Sequence, residues 1–400
     1  MWVELSYLLL TIVNFLLACL ILTFLGKRLG IHESQQAGFS SSLEVLRGMT
    51  AFLVFGAHST MYFGLAPKQV MAASMGELGV LLFFMLTGHL FWSQIKAGKY
   101  DGNSFFIKRI RRLVPIMLVV IATFSFLDWI MGGLPIPTAQ QLVSLFRNFG
   151  FGKVVASTGD VNDVFTKDMY LRINTTWTLR WEWLFYLCLP LVAALARFRC
   201  VTVFAIAVVL MFMDPFQITS GGTDAVFVLA FWLGALSRSL EDFSGSWLAP
   251  LFTRSGSVLA LLIGIAATGY YLVGGPELVQ KSVRVPVMVF TIFPVFLYFV
   301  VSKRFPDRLA LPSFQLVGKV SYSFYLWHLG INYFVVRIMA RLFEQPQSPT
   351  AFVLTCMAMM VIGVTISAFT YRFVEEPFLK KKQTQHHLNS HYKGAKQEAL

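Results

Sequence analysis

Leu5-Ser6-Tyr7-Leu8-Leu9-Leu10-Thr11-Ile12-Val13-Asn14-Phe15-Leu16-Leu17-Ala18-Cys19-Leu20-Ile21-Leu22-Thr23-Phe24-Leu25 carries no charged side chain and is closed by Lys27-Arg28. A helix needs about 20 apolar residues to cross the hydrocarbon of a bilayer, so this stretch reads as a span. No basic region precedes it and no small-residue cleavage site follows, so residues 1–30 read as an uncleaved anchor rather than a signal peptide. The same length criterion marks ten more candidates, at 44–64, 77–95, 113–132, 181–196, 199–214, 223–240, 257–274, 283–302, 315–341 and 351–379. The expected fold is therefore all-α: a polytopic integral membrane helical bundle of about eleven transmembrane helices.

Composition leads to the same class. Of 400 residues, 56% are apolar and only 13% charged, whereas ordinary globular chains carry about a quarter charged residues. With 39 Phe, 16 Met and 9 Trp, the chain is no disordered, collagen-like or disulfide-scaffold sequence. A net charge of +13 would point to nucleic acid in a soluble protein; in a membrane protein basic excess marks cytoplasmic loops, and no nucleic-acid partner is expected. Eighteen Lys and Arg fall in one set of alternate loops, among them Lys27, Arg28, Lys96, Lys99, the run Lys108 to Arg112 and Lys380 to Lys382, against seven in the other. That asymmetry places the N-terminus outside and the C-terminus inside. Cys19, Cys188, Cys200 and Cys356 sit in or beside apolar runs without paired spacing, and read as packing residues, not as a disulfide framework or metal site. Outside the bundle lie an outer loop at 133–180, too long for a mere connector, and a polar basic tail at 380–400. The tail reads as a disordered cytoplasmic end that reinforces topology.

Ionisable residues within spans are costly and mark candidate function: Glu44, Arg47, His58, Glu77, His89, Asp128, Glu182, His328 and Glu375-Glu376. Arg47 and His58 are eleven residues apart, which is about 16 Å along a helix and about 20° around it. They share a face, with Arg47 toward the cytoplasm and His58 deeper. A guanidinium at the inner mouth suits phosphate or carboxylate; an imidazole further in suits proton transfer. The plain alternative is a helix-end arginine and a hydrogen-bonded core histidine. In Lys108-Arg109-Ile110-Arg111-Arg112, Arg109 and Arg112 lie one turn apart on one face. That run is either a positive-inside anchor or a clamp for a phosphate-rich cofactor. In Trp177-Thr178-Leu179-Arg180-Trp181-Glu182-Trp183, an interfacial aromatic belt accounts for Trp181 and Trp183 but not for a carboxylate at that depth.

Taken in order, these segments resemble the membrane-bound acyltransferase family 3. Leu43-Glu44-Val45-Leu46-Arg47-Gly48 through His58 is similar to its opening Arg and His motif. Gly79 to Gly88 resembles its Phe-Phe-x-Leu-Ser-Gly segment, Arg109 to Pro115 its Arg-x-x-Arg-x-x-Pro, and Trp177-Thr178-Leu179 with Glu182 its Trp-Ser-Leu-x-x-Glu. Gly318 to His328, containing Tyr325, and Tyr371 with Glu375-Glu376-Pro377 resemble its two C-terminal signatures. Departures are Thr87 and Thr178 for Ser, His89 for an aromatic, and Glu376 where Arg is common. Residues 43–379 would form the acyltransferase membrane domain.

The resemblance implies a bacterial inner-membrane enzyme that moves an acyl group, expected to be acetyl, from cytoplasmic acetyl-CoA to a hydroxyl of a cell-surface or exported carbohydrate. Polysaccharide or lipid-linked glycan would be the acceptor, membrane lipids the surroundings, and no metal would be needed. Similar proteins fused to an esterase-like domain pass the acyl group onward; this chain shows no such domain and is expected to complete the transfer alone. Arg109 and Arg112, with Arg47 nearby, are the expected seat of the CoA phosphates. His58 is the expected general base, or else a transient acyl carrier. Glu182 would orient His58 or contact the acceptor; Trp177, Tyr325 and His328 are further candidates, His328 reading equally as a structural hydrogen bond. The competing function is a transporter or flippase of lipid-linked sugars, which incorporation of labelled acetyl-CoA into surface glycan separates from an acyltransferase.

Overall fold

The computed structural model describes residues 2–32, 39–61, 69–132, 174–195, 225–240, 242, 253–273, 281–301, 311–343 and 348–380. Among them every regular element is helical: α1 (Trp2–Leu29), α2 (Phe39–Met61), α3 (Gln69–Lys96), α4 (Gly102–Gly132), a 3₁₀ turn (Asn174–Thr176), α5 (Trp177–Leu195), α6 (Ala225–Leu240), α7 (Arg254–Val273), α8 (Lys281–Val301), α9 (Pro312–Leu342) and α10 (Pro349–Thr370). α10 runs on through a π turn, Tyr371–Glu375, into a last turn, Glu376–Lys380. The expected span at 199–214, most of the loop at 133–180 and the tail after Lys380 lie outside the described residues.

The helices overlie the remaining apolar stretches, with two informative differences. α4 starts at Gly102 rather than near 113, because Asp101 caps it: its carboxylate accepts from the Ser104 amide at 3.0 Å and its carbonyl from the Phe105 amide at 2.9 Å. A side-chain oxygen there satisfies a donor that the first turn leaves unpaired. Hydropathy marks where lipid begins, not where the helix does, so the basic run lies on helix α4 and its arginines have fixed directions. The second difference is depth. Counted from Pro312, where α9 starts, Tyr325 lies about 20 Å into that helix at 1.5 Å per residue, and its hydroxyl donates to the carbonyl of Thr175 at 3.3 Å. α5 thus begins deep in the bundle. Trp181 is buried against Phe227, with ring centroids 5.9 Å apart, rather than seated in an interfacial belt.

Four stretches, Leu9–Leu29, Ser74–Lys96, Gly102–Leu127 and Pro349–Leu379, are long and apolar enough to cross a membrane. Leu9, Ile12, Leu16 and Leu20 of α1, Val361, Ile362 and Phe369 of α10 and Phe373 of the π turn after it face outward. An apolar outer surface of this kind is stable in hydrocarbon and costly in water. The chain is a helical membrane protein.

Lipid offers no hydrophobic drive between helices, so close backbone packing over small residues takes its place. A Cβ on Gly318 of α9 would strike the carbonyl oxygen of Glu44 in α2, and one on Gly48 would meet the amide nitrogen of Gly318 at 3.0 Å. The α3–α6 crossing is reciprocal: a Cβ on Gly88 would strike the Phe231 carbonyl, and one on Gly234 the Met85 carbonyl. Beside this crossing Phe231 stacks on both Phe84 (4.4 Å) and Phe185 (4.3 Å). Gly318→Ala or Gly88→Ala is expected to cost about 1–3 kcal/mol through overpacking. Gly269→Ala, where a Cβ meets nothing within 4 Å among the described residues, should be neutral or slightly stabilising. Thermal unfolding of the detergent-solubilised protein, followed by intrinsic fluorescence, measures the contrast.

Candidate active site

α2, α3, α4, α5 and α9 enclose a cavity of about 210 Å³. One end is cationic. Arg47 reaches it from α2, and Arg109 and Arg112, one helical turn apart, from α4. Arg109 lies over the rings of Phe91 (5.0 Å) and Phe105 (5.8 Å), and its Nε is buried with no hydrogen-bond partner among the described residues. The aromatic faces hold the guanidinium plane while leaving a donor unmatched. Glu182 is the acidic side chain in the lining. It accepts a hydrogen bond from the Tyr186 hydroxyl one turn further along α5, and Tyr186 in turn takes a hydrogen bond from Arg109. Arg47, Arg109 and Arg112 all lie within electrostatic reach of Glu182. Glu44 and Glu375 lie within electrostatic reach of Arg112 and Arg47 but outside the lining; Ser323 donates to Glu375 at 3.0 Å. Three guanidinium groups facing one carboxylate leave the cavity wall net positive, and forked N–H donors of this kind match phosphate or carboxylate oxygens.

The lining also includes Gln94, Ser321 and Tyr322, whose hydroxyl donates to the Leu113 carbonyl at 3.1 Å. Toward its other end it is formed by Val54, Thr178 and Tyr325, the last two joined hydroxyl to hydroxyl at 3.0 Å. One turn beyond Val54 and Tyr325 stand His58 and His328. They do not line the cavity; they bond each other across the α2–α9 seam, His58 Nδ1 to His328 Nε2 at 2.8 Å, with ring planes 18° apart. His328 Nδ1 donates to the carbonyl of Tyr325 at 2.7 Å. Arg47, Ala51, Val54 and His58 follow a spacing of four, three and four residues along α2, and Ser321, Tyr325 and His328 begin the same spacing along α9. Each stripe therefore leads from the arginine end to the imidazole pair.

The partners of Glu182 are thus Tyr186 and the arginines, not His58. Trp177 packs on Phe227 of α6 at 5.1 Å and is absent from the lining. His89 bonds Ser237 of α6 at 2.9 Å, beside a Trp92–Ser239 bond of 2.7 Å, which ties it to the α3–α6 seam. Tyr186, Tyr322 and Gln94 also belong to the cavity. Tyr186 carries a legible signal, since residues i and i+4 of a helix touch; Tyr322 is marked only by lying within the Gly318 to His328 segment, and Gln94 carries none.

The family model described as acyltransferase domain matches residues 40–371, which includes every residue of this cavity. O-acetyltransferase OatA of Staphylococcus aureus, in strains NCTC 8325 / PS 47 and COL, is 25% identical over 366 residues, covering 84% of this chain. The chain spans 57% of the length of those relatives. ORF330 of Acidianus two-tailed virus is 24% identical over 323 residues, covering 74% of this chain and 85% of its own. No solved structure matches the chain.

Replacing Glu182 by Gln removes the negative charge among three guanidinium groups and is expected to lower stability by on the order of 1–3 kcal/mol. Inorganic pyrophosphate, which supplies charge of the missing sign, should restore more of the unfolding temperature in Glu182→Gln than it adds to the unaltered protein.

Proposed function

The chain belongs to the acyltransferase-domain family, and we propose that it is an integral membrane O-acyltransferase moving an acetyl group from acetyl-CoA to a hydroxyl of a cell-surface or exported carbohydrate. One observation carries this reading: a single cavity has its arginines at one end and ends one helical turn from an imidazole pair at the other. The family match and the O-acetyltransferase name of its relatives supply the reaction class. The loop asymmetry of Lys and Arg supplies the direction, with about eleven spans in the bacterial inner membrane, the N-terminus outside, the C-terminus inside, and the arginine end toward the cytosol.

In this reading Arg109, Arg112 and Arg47 take the phosphates of the CoA donor. Its thioester arm runs along Phe83, Thr87 and Val54 toward Tyr325. Glu182 and Tyr186 hold Arg109 in place rather than acting on the acyl group. His58 takes the proton of the acceptor hydroxyl as that oxygen attacks the thioester carbonyl. The carbon–oxygen bond forms, the carbon–sulfur bond breaks, and the thiolate leaves with its electron pair and is protonated to free CoA. The carbohydrate acceptor, polysaccharide or lipid-linked glycan, approaches from the outer side, so donor and acceptor meet without either crossing the membrane.

Membranes containing the full chain, given radiolabelled acetyl-CoA and isolated cell-surface glycan, test this directly. Arg109→Ala with Arg112→Ala should raise KM for acetyl-CoA by about tenfold or more, since hydrogen bonds to charged groups are worth about 1.5–3 kcal/mol each. An unchanged KM would remove the clamp. His58→Ala should lower the rate by about 10²–10⁴, and retained turnover would remove His58 from the chemistry.

A further inference from the structure

We infer that His328 is a positioning residue that selects the tautomer of His58, so that the lone pair of His58 sits on Nε2. This deepens the proposed acyltransferase reading and rests on it for the role of His58.

The inference follows from a chain of acceptors. The Tyr325 carbonyl can only accept, so the 2.7 Å contact to it requires N–H on Nδ1 of His328. A neutral imidazole has one N–H, so Nε2 of His328 carries a lone pair. The 2.8 Å contact between that Nε2 and Nδ1 of His58 then requires the proton to lie on His58 Nδ1. His58 Nε2 is left as the basic atom of the pair. When Nε2 takes a proton, His58 keeps its bond to His328, now charge-assisted and stronger. In serine hydrolases a buried carboxylate holds the catalytic imidazole in one tautomer, and losing that hold costs about 10⁴ in rate. Here a carbonyl-anchored neutral imidazole fills the same place.

Packing leaves His328 little choice of orientation. It is buried, with Phe324, Phe55 and Tyr325 rings at centroid distances of 6.2, 6.4 and 5.7 Å. His58 and His328 each lie ten residues beyond the glycine at which α2 and α9 touch, Gly48 and Gly318, so backbone contact at one end sets the two rings level at the other. Glu182, the sequence-based candidate for orienting His58, is bonded to Tyr186 instead.

The test uses the full chain in membranes with two substitutions of His328. His328→Leu removes the acceptor and is expected to lower kcat by about 10²–10⁴, with KM for acetyl-CoA within twofold. His328→Gln offers a side-chain oxygen to the same N–H and is expected to recover at least tenfold over His328→Leu. Solid-state NMR of ¹⁵N-histidine protein should show His58 protonated on Nδ1 and bare on Nε2, and His328→Leu should shift protonation toward Nε2. Protonation of Nε2 in the unaltered protein, or equal kcat in the Leu and Gln variants, would overturn the inference. The tautomer reading needs no turnover, so absent acetyl transfer with the expected NMR pattern would count against the enzymatic proposal and not against the role of His328.

Discussion

Everything that distinguishes this bundle depends on the backbone contact between α2 and α9. Glycine on both sides lets Gly48 and Gly318 approach until no side chain fits between them. In lipid, where apolar side chains gain nothing by leaving the surroundings, such contacts set helix register. Once the two helices run side by side from that point, His58 and His328 fall level, and Arg47 and Ser321 face the same space. A shift of one residue in either helix would turn a ring by about 100° and break the pair.

The second organising feature is the separation of charge from imidazole along that seam. Guanidinium groups are placed at the end where α4 begins: Arg109 is held by aromatic faces and by a hydroxyl bridge through Tyr186 to Glu182, and Arg112 and Arg47 lie within electrostatic reach of Glu44 and Glu375. The imidazole pair lies a turn beyond the cavity and is held by a main-chain carbonyl. The cationic end and the imidazole pair are therefore held by separate sets of contacts, which in the proposed reading keeps anion recognition apart from proton handling. α5 joins them, because it starts deep and presents Thr178 to Tyr325 at one end and Tyr186 to Arg109 at the other.

Much of the fold was legible from the chain itself. Uninterrupted apolar stretches located the helices to within a few residues wherever hydropathy and helix end together, as at Leu240 and Lys96. It failed where a helix continues past the apolar stretch, as at the capped start of α4, and where a helix begins inside the bundle, as at Trp177. Hydropathy reports the solvent around a segment, whereas Asp101 and the Thr175 carbonyl act through hydrogen bonds that composition does not register.

The site divides along the same line. The rise and turn of an α-helix are the same in any protein, so position in the sequence by itself determined that Arg47 and His58 share a face, that Arg109 and Arg112 point the same way, and that Tyr186 can touch Glu182. Which faces meet was decided only by the tertiary structure. His58 and His328 are separated by 270 residues, and nothing local to either distinguishes a partnered ring from a buried one. His89 shows the converse, an imidazole in a span whose partner proved to be Ser237 at a helix crossing. Contacts within a helix follow from covalent geometry, whereas contacts between helices depend on where two backbones can come close enough to touch.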